Sequence, residues 1–452
     1  RTERVGVVGA GPAGLSAAYH LARLGYPVTV YDEAEEAGGM LRQGIPPYRL
    51  PREVLDRQIE RYAALGIEFR LGVRLEGDLA RRELEPYDAV FLATGAHRNR
   101  PLGIPGEDGP GVLAGLDFLK AVNRGERPDI GHRVAVIGGG NTAMDCARTA
   151  LRLGSEPVVV YRRTREEMPA IDQEVVEAMA EGIEFVFLAA PESFRHRDGR
   201  LVGMHVTRME LGEPDESGRR RPVPVRDGGF GIEVDTVLTA IGEETELDVL
   251  PAELEAEWGA VSVDATGATS APAFFAGGDL AGEERTVADA LGSGKRAAIG
   301  IDRYLRRLQN EGDAVDLDAL RWGEGSVSIS RYRGDDPVRR TNPANEVVDI
   351  PALQLAHFRQ AERQRERTRT GPMDFGEVNL GLDLTAAVAE ARRCFNCAVC
   401  NDCELCLIFC PDNAIRRRPG GGFEVDLDYC KGCGLCAEEC PRGAIVMTRE
   451  GL

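Results

Sequence analysis

The hydrophobic pattern opens with a short apolar run, Val5-Gly6-Val7-Val8, followed by glycine-punctuated small residues. A stretch with helical spacing, Leu15 to Leu24, comes next, and then a second β-branched run, Val28-Thr29-Val30-Tyr31. Runs of this length bounded by glycine read as buried strands, and the intervening stretch reads as a helix. The same order recurs: Val134-Ala135-Val136-Ile137, a helix from Thr142 to Leu153, and Val158-Val159-Val160-Tyr161. Both helices close on Arg-Leu-Gly, at residues 23–25 and 152–154, so the two copies can be aligned. Strand, turn, helix, strand in duplicate predicts an α/β chain with two parallel-sheet units.

Each first turn is a glycine fingerprint, Gly9-x-Gly11-x-x-Gly14 in one copy and Gly138-x-Gly140-x-x-Ala143 in the other. In such a turn the first glycine makes the bend and the second lets backbone approach a pyrophosphate. The third position packs helix on strand, and the helix N-terminus offers N–H groups and positive partial charge to the phosphates. Asp32 ends the second strand of the first copy, where an acid accepts from a ribose hydroxyl. Allowing one extra residue, Arg162 takes that place in the second copy, with Arg163 beside it. A carboxylate repels a 2′-phosphate and a guanidinium invites one. The first site is therefore expected to hold a dinucleotide with a free ribose, and the second to prefer NADPH. If the two arginines were only surface charges, NADH would also serve.

The C-terminal region reads differently. Cys400-x2-Cys403-x2-Cys406-x3-Cys410-Pro411 is repeated 30 residues later as Cys430-x2-Cys433-x2-Cys436-x3-Cys440-Pro441. This spacing wraps cubane iron–sulfur clusters, and the fourth cysteine reaches the other cluster. Cys400, Cys403, Cys406 and Cys440 are expected on one [4Fe-4S] cluster, and Cys430, Cys433, Cys436 and Cys410 on the second. Zinc sites prefer two spaced pairs, sometimes with histidine, and this region has no histidine. Cys394 and Cys397 continue the spacing upstream but fall outside the frame set by proline. They are read as structural or inert, with a redox pair or ligands completed by another chain as the alternatives. Cys146, inside the second helix, is expected to be a buried small residue.

Composition narrows the function classes. A net charge of -19 argues against nucleic acid and anionic membrane surfaces. No apolar run approaches the roughly 20 residues of a membrane span. Ten of the 11 cysteines follow residue 393, and cluster thiolates need a reducing compartment, so the expected location is cytoplasmic.

Further motifs carry a resemblance: Gly38-Gly39-Met40, Gly44-Ile45-Pro46-Pro47-Tyr48-Arg49-Leu50-Pro51, Ala93-Thr94-Gly95, Gly138 through Asp145, Tyr161 through Pro169, and Ala276-Gly277-Gly278-Asp279. Over residues 1–308 the chain resembles the small subunit of NADPH-dependent glutamate synthase and its relatives. The resemblance implies a discontinuous FAD domain (1–100 and 243–308), an NADPH domain (101–242), a connector (309–393) and a small α+β ferredoxin-like domain (394–452). It implies FAD contacts from Gly9, Gly11, Pro12, Ala13, Gly14, Asp32, Gly39, Met40, Thr94, Gly95, Gly278, Asp279, Thr286 and Val287. A helix beginning near Thr286 should aim its positive end at the flavin. NADPH contacts are expected from Gly138, Gly140, Asn141, Thr142, Ala143, Arg162 and Arg163.

Tyr429 through Cys436 is similar to the ferredoxin-like subunit of 2-oxoacid:ferredoxin oxidoreductases. The whole resembles the iron–sulfur flavoprotein that accompanies dissimilatory sulfite reductase and related NAD(P)H:ferredoxin oxidoreductase subunits. Such relatives carry an N-terminal helical domain with further cluster cysteines. The chain starts at Arg1, so that domain is expected either in a longer form of the chain or on another subunit. The implied activity is electron transfer between NADPH and a ferredoxin or partner redox-enzyme subunit, in a hetero-oligomer or homodimer, with no nucleic acid. The alternative is a relay subunit inside a larger complex. A disulfide reductase would need a cysteine pair beside the flavin, and the FAD segments have none.

The connector is expected to lie over the flavoprotein surface, with one charged helix from Leu353 to Arg369. Thr385 to Arg393 should form a short helix delivering Cys394.

Overall fold

The computed structural model describes residues 1–215, 218–247, 254–282, 284–310, 328–333, 348–369 and 373–448. The chain divides into two compact units, residues 1–312 with 369–379, and residues 313–368 with 380–452.

The first unit contains two five-stranded parallel sheets. In one, Val5–Val8 is central, flanked by Val28–Tyr31 and Glu68–Arg70 on one side and by Ala89–Leu92 and Phe274–Ala276 on the other. In the other, Arg133–Ile137 is central, flanked by Glu156–Tyr161 and Glu184–Phe187 on one side and by Thr236–Thr239 and Val112–Ala114 on the other. The glycine turns thus leave equivalent central strands. Continuous burial of Val28–Tyr31 explains why the run lacks polar alternation, since helices cover both faces of a parallel sheet.

Helix Pro12–Arg23 begins with proline at its first turn, where the missing N–H costs nothing. It lies against the long helix Val287–Leu308, and the crossing is close. A Cβ on Gly294 would come within 2.1 Å of the Ala13 carbonyl oxygen, and Ser16 Oγ donates to the Leu291 carbonyl at 2.7 Å. Val5, Val7, Val30, Phe91, Leu21 and Ile301 fill the core beneath.

The Pro46–Pro51 loop ties the two sheets together. Arg49 Nη1 donates to both Asp145 oxygens, at 2.9 and 2.7 Å, and Nη2 meets Glu174 at 2.8 Å. Tyr48 is fully buried, with the Arg152 guanidinium 3.9 Å from its ring centroid and Arg148 at 5.1 Å. Arg148 in turn pairs with Glu174, Glu177 and Glu181.

A three-stranded antiparallel sheet, Ala189–Arg197, Arg200–Pro214 and Arg220–Ile232, is inserted before the last strand of the second sheet. The sequence reading assigned no element there.

The second unit holds helix Leu384–Ala391, capped by Asp383, which accepts from Ala386 N. It also holds the short helices Leu405–Phe409 and Leu435–Glu438 and the antiparallel pair Ile415–Arg417 and Phe423–Val425.

Of the described connector residues, 369 and 373–379 group with the first unit, and 328–333, 348–368 and 380–393 with the second. The connector's remaining segments, 311–327, 334–347 and 370–372, lie outside the described residues. The predicted helix at 353–369 is absent; the described segment has the 3-10 turns Ile350–Ala352 and Leu355–His357 and the two-residue strand Arg367–Thr368. Gln360 through Arg367 carries no apolar stripe, so a helix there would have no face to bury. Among the described residues no helix is long and apolar enough to cross a membrane.

Candidate functional site

A cleft opens over the first glycine turn. All the residues assigned to it from sequence, except Gly14, line it: Gly9, Gly11, Pro12, Ala13, Asp32, Gly39, Met40, Thr94, Gly95, Gly278, Asp279, Thr286 and Val287. Gly14 lies underneath, where a Cβ would sit 1.8 Å from the Gly9 carbonyl oxygen. Gly9 has φ +107 and a Cβ there would meet the Ala93 carbonyl oxygen at 2.2 Å, so only glycine turns the chain here. At Gly11, by contrast, a Cβ would meet only Gly39 Cα, at 3.9 Å. That leaves room for a phosphate to approach the backbone.

Asp32 is more committed than the fingerprint suggests. Its oxygens accept from Ala10 N at 2.6 Å and Ala34 N at 2.8 Å, locking the glycine turn to the strand end. Burial raises its pKa against those two bonds. Each oxygen keeps a second lone pair for a hydroxyl. Thr286 caps helix Val287–Leu308, accepting from Asp289 N at 3.1 Å. Asp279 lies beside it, its carboxyl raised by burial and lowered by the Arg285 charge.

The cleft also holds residues that sequence reasoning missed: Glu33, Gln43, Arg74, His97, Glu246 and Arg285. Of these, only the neighbours of Asp32 and Thr286 had any signal. His97 Nδ1 and Thr94 Oγ1 are buried without a hydrogen-bond partner. Burial and the nearby Lys120 lower the His97 pKa. Unpaired buried acceptors facing a cleft are what a polar ligand would satisfy.

The second turn repeats this geometry. A Cβ on Gly138 would lie 2.1 Å from the Ala240 carbonyl oxygen, and at Gly140 it would meet nothing within 4 Å. Ala143 is buried beneath, and Asn141 and Thr142 open helix Asn141–Arg152. Asn141 Oδ1 accepts from Ile171 N at 3.0 Å.

The arginine pair is split, which corrects the expectation for Arg163. Its side chain is buried, with Nε donating to the Arg220 carbonyl at 2.7 Å and Nη2 pairing with Asp215 at 2.7 Å. It anchors the antiparallel hairpin, and its burial there keeps it away from the surface a 2′-phosphate would approach. Arg162 points outward. Cys146 is fully buried and donates to the Gly115 carbonyl at 3.4 Å.

In the second unit the cysteine repeat is also a geometric repeat. Asp402 N approaches Cys400 Sγ at 3.5 Å, as Gly432 N approaches Cys430 Sγ at 3.4 Å. Ala414 N approaches Cys410 Sγ at 3.3 Å, as Ala444 N approaches Cys440 Sγ at 3.2 Å. Left-handed residues recur at the same offset, Asp402 and Gly432, Glu404 and Gly434, Asn413 and Gly443.

The thiols bearing on Cys406 are Cys400, Cys403 and Cys440; burial first, then these neighbours, push it up to about 11. Cys436 is raised by burial and by Cys430 and Cys433. Cys410 and Cys433 both act on Lys431, which bonds Asp412. Cys440 is thus a neighbour of Cys406, and Cys410 a neighbour of Lys431 in the other motif.

Converging thiols resist ionisation unless a cation is present, and metal coordination deprotonates them outright. Among the described residues no histidine, cysteine or acidic group of three could hold one ion. A cubane instead takes its four thiolates on four irons. Cys394 and Cys397 are exposed and stand outside both sets of neighbours.

Residues 3–294 match the pyridine nucleotide-disulphide oxidoreductase family, and residues 399–444 match the 4Fe-4S dicluster domain. The chain belongs to the pyridine nucleotide-disulphide oxidoreductase family. It is 44% identical over 406 residues to the NADP(+)-dependent formate dehydrogenase subunit beta of Moorella thermoacetica, which covers 87% of this chain and 54% of that relative. The chain thus spans about half that relative's length.

It is also 40% identical over 321 residues to a Cereibacter sphaeroides protein described as a glutamate synthase (NADPH) small chain, covering 68% of this chain and 78% of that one. Mycobacterium tuberculosis FprA in complex with NADPH shares the fold, with a TM-score of 0.61 and 20% identity over 71% of this chain and 88% of that one. Within this oxidoreductase family the cleft over the first turn fits FAD, the second turn fits NADP(H), and the dicluster region fits two [4Fe-4S] clusters.

Proposed function

We propose that the chain is the NADPH-dependent FAD/iron–sulfur subunit of an oxidoreductase, passing electrons between NADPH and a ferredoxin-like acceptor or partner redox subunit. The observation that carries this is the union, in one polypeptide, of two glycine cradles and two four-cysteine motifs. When bound, flavin supplies the conversion between a two-electron hydride donor and one-electron carriers. The chain's own residues position and exclude. Gly9, Gly11, Pro12, Ala13 and Gly14 receive the FAD pyrophosphate. Asp32 accepts from the ribose, while Gly39, Met40, Thr94, Gly95, Gly278 and Asp279 line the remainder. Thr286 and Val287 open the helix whose N-terminal partial charge favours electron-rich ligands.

Gly138, Gly140, Asn141, Thr142 and Ala143 receive the NADPH pyrophosphate, with Arg162 at the 2′-phosphate. Cys400, Cys403, Cys406 and Cys440 hold one cluster, and Cys430, Cys433, Cys436 and Cys410 the other. NADH is the weaker alternative.

A relay role within a larger assembly is the second reading, favoured by the partial coverage of a relative named as a subunit. A reducing, cytoplasmic setting suits thiolate-ligated clusters. Anaerobically prepared protein should contain about eight irons per chain, and NADPH should bleach its flavin absorbance. Two to four irons, stoichiometric zinc or an unresponsive flavin would each reject the proposal.

A further inference from the structure

We propose that Cys394 and Cys397 form a half-site for one soft divalent cation, separate from the two clusters. This goes beyond the cluster reading and rests on it, since that reading commits eight of the 11 cysteines elsewhere. Cys146 is fully buried, so these two thiols remain.

The loop that carries them is a third copy of the cluster-wrapping loop. Asn396 N approaches Cys394 Sγ at 3.4 Å. Asp402 N approaches Cys400 Sγ at 3.5 Å in the same way, and Gly432 N approaches Cys430 Sγ at 3.4 Å. The left-handed residues repeat as well. Asn396 and Ala398 have φ +47 and +62, Asp402 and Glu404 +56 and +67, and Gly432 and Gly434 +70 and +79. In each copy they stand two and four places after the first cysteine. An N–H donated to sulfur favours the thiolate, which is the form that binds metal.

The third copy is held in this shape from outside. Alanine seldom adopts a left-handed backbone, and such a residue persists only where its surroundings fix it. The Ala398 N–H donates to the Arg442 carbonyl at 2.7 Å. Phe395 packs on Phe358, with ring centroids 4.4 Å apart. Cys394 N donates to the Ala391 carbonyl at 3.1 Å, at the end of helix Leu384–Ala391.

The donor set then decides the ligand. Cys400, third cysteine of this copy, belongs to the frame that ends at Pro411, so a cubane would lack its third thiolate here. Among the described residues no histidine or carboxylate completes a set of three. Two thiolates at x2 spacing are half of a tetrahedral sulfur site, and soft ligands select soft cations. Both cysteines are exposed, which leaves the other coordination positions to solvent. The ion binds as the two S–H protons leave.

Cadmium(II) is the probe, added anaerobically to the intact chain with its flavin and clusters in place. Equilibrium dialysis with elemental analysis counts it, and X-ray absorption at the cadmium edge reads its neighbours. The expected result is about one cadmium per chain with about two sulfur neighbours, while about eight irons stay in place. Cys394→Ser and Cys397→Ser should each lose that cadmium at the same free concentration and keep their irons. Cadmium without sulfur neighbours, cadmium retained by both variants, or uptake only as iron leaves would overturn the half-site. Iron lost from either variant would overturn it too, because the pair would then be cluster ligands. A parent with far fewer irons before cadmium is added removes the cluster reading instead. Alanine replaces serine if a variant does not fold, with bound-flavin absorbance as the check, and should show the same loss of cadmium.

Discussion

The two dinucleotide turns share a scaffold and differ at its rim. Each first glycine presses on a strand carbonyl, Ala93 for Gly9 and Ala240 for Gly138, and each second glycine faces open space. Past the second strand the copies diverge. Asp32 folds back onto the backbone of its own turn, whereas Arg162 points outward and Arg163 is taken up by an inserted hairpin. A binding fold can therefore be duplicated almost unchanged while ligand choice moves to the first residues beyond it.

The steepest test of the shared part is alanine at Gly9 or Gly138. Both should lose about 3 kcal/mol of unfolding stability, from positive φ and the carbonyl clash together. Urea titration that found one tolerated and the other not would break the equivalence. Next comes Arg163→Ala, which strands Asp215 and should cost about 2–3 kcal/mol. It should weaken NADPH and NADH in equal proportion, while Arg162→Ala weakens NADPH alone by roughly tenfold. Equal cofactor losses in the Arg162 variant would erase the contrast between the two rims.

Milder effects should follow from Gly11→Ala and Gly140→Ala. With open space around each Cβ, both variants should keep their thermal midpoints. The first should shed flavin and the second lose affinity for NADP+, as read by bound-flavin absorbance and by titration.

The smallest difference is one of pH. The first turn's helix holds a half-buried His20 where the second has Thr149. Burial, followed by the Arg23 and Lys295 charges, brings the His20 pKa down from 6.5 to about 4. The unfolded chain then binds that proton more readily, so the contribution is complete above the ordinary value and drains away as pH falls toward the folded one. The loss should be about 3 kcal/mol by pH 4. His20→Gln should flatten it, and an unchanged acid limb would reject the assignment.

The scaffold was legible because its signals are local. Apolar runs such as Val28–Tyr31 mark buried parallel strands, and the glycine spacing encodes contacts made within a few residues. The cysteine frame was legible too, since Cys410 and Cys440 are each marked by the following proline. Long-range pairing carried no such mark. Arg163 looked like Arg162 until Asp215, fifty-two positions away, claimed it. His97 entered the cleft unannounced, and the charged stretch after Leu353 looked helical until it found nothing to cover. Periodicity identifies elements well and says little of which polar side chain meets which.

The loop carrying Tyr48 and Arg49 has a mechanical consequence. Asp145, Arg148 and Arg152 all belong to the helix of the second turn, and all are gripped from the first domain or by acids beside it. Swivelling one nucleotide domain on the other would strip a phenol from two guanidiniums and leave an unsheltered carboxylate in a dry seam. Any turning of one sheet against the other would first have to break these pairs.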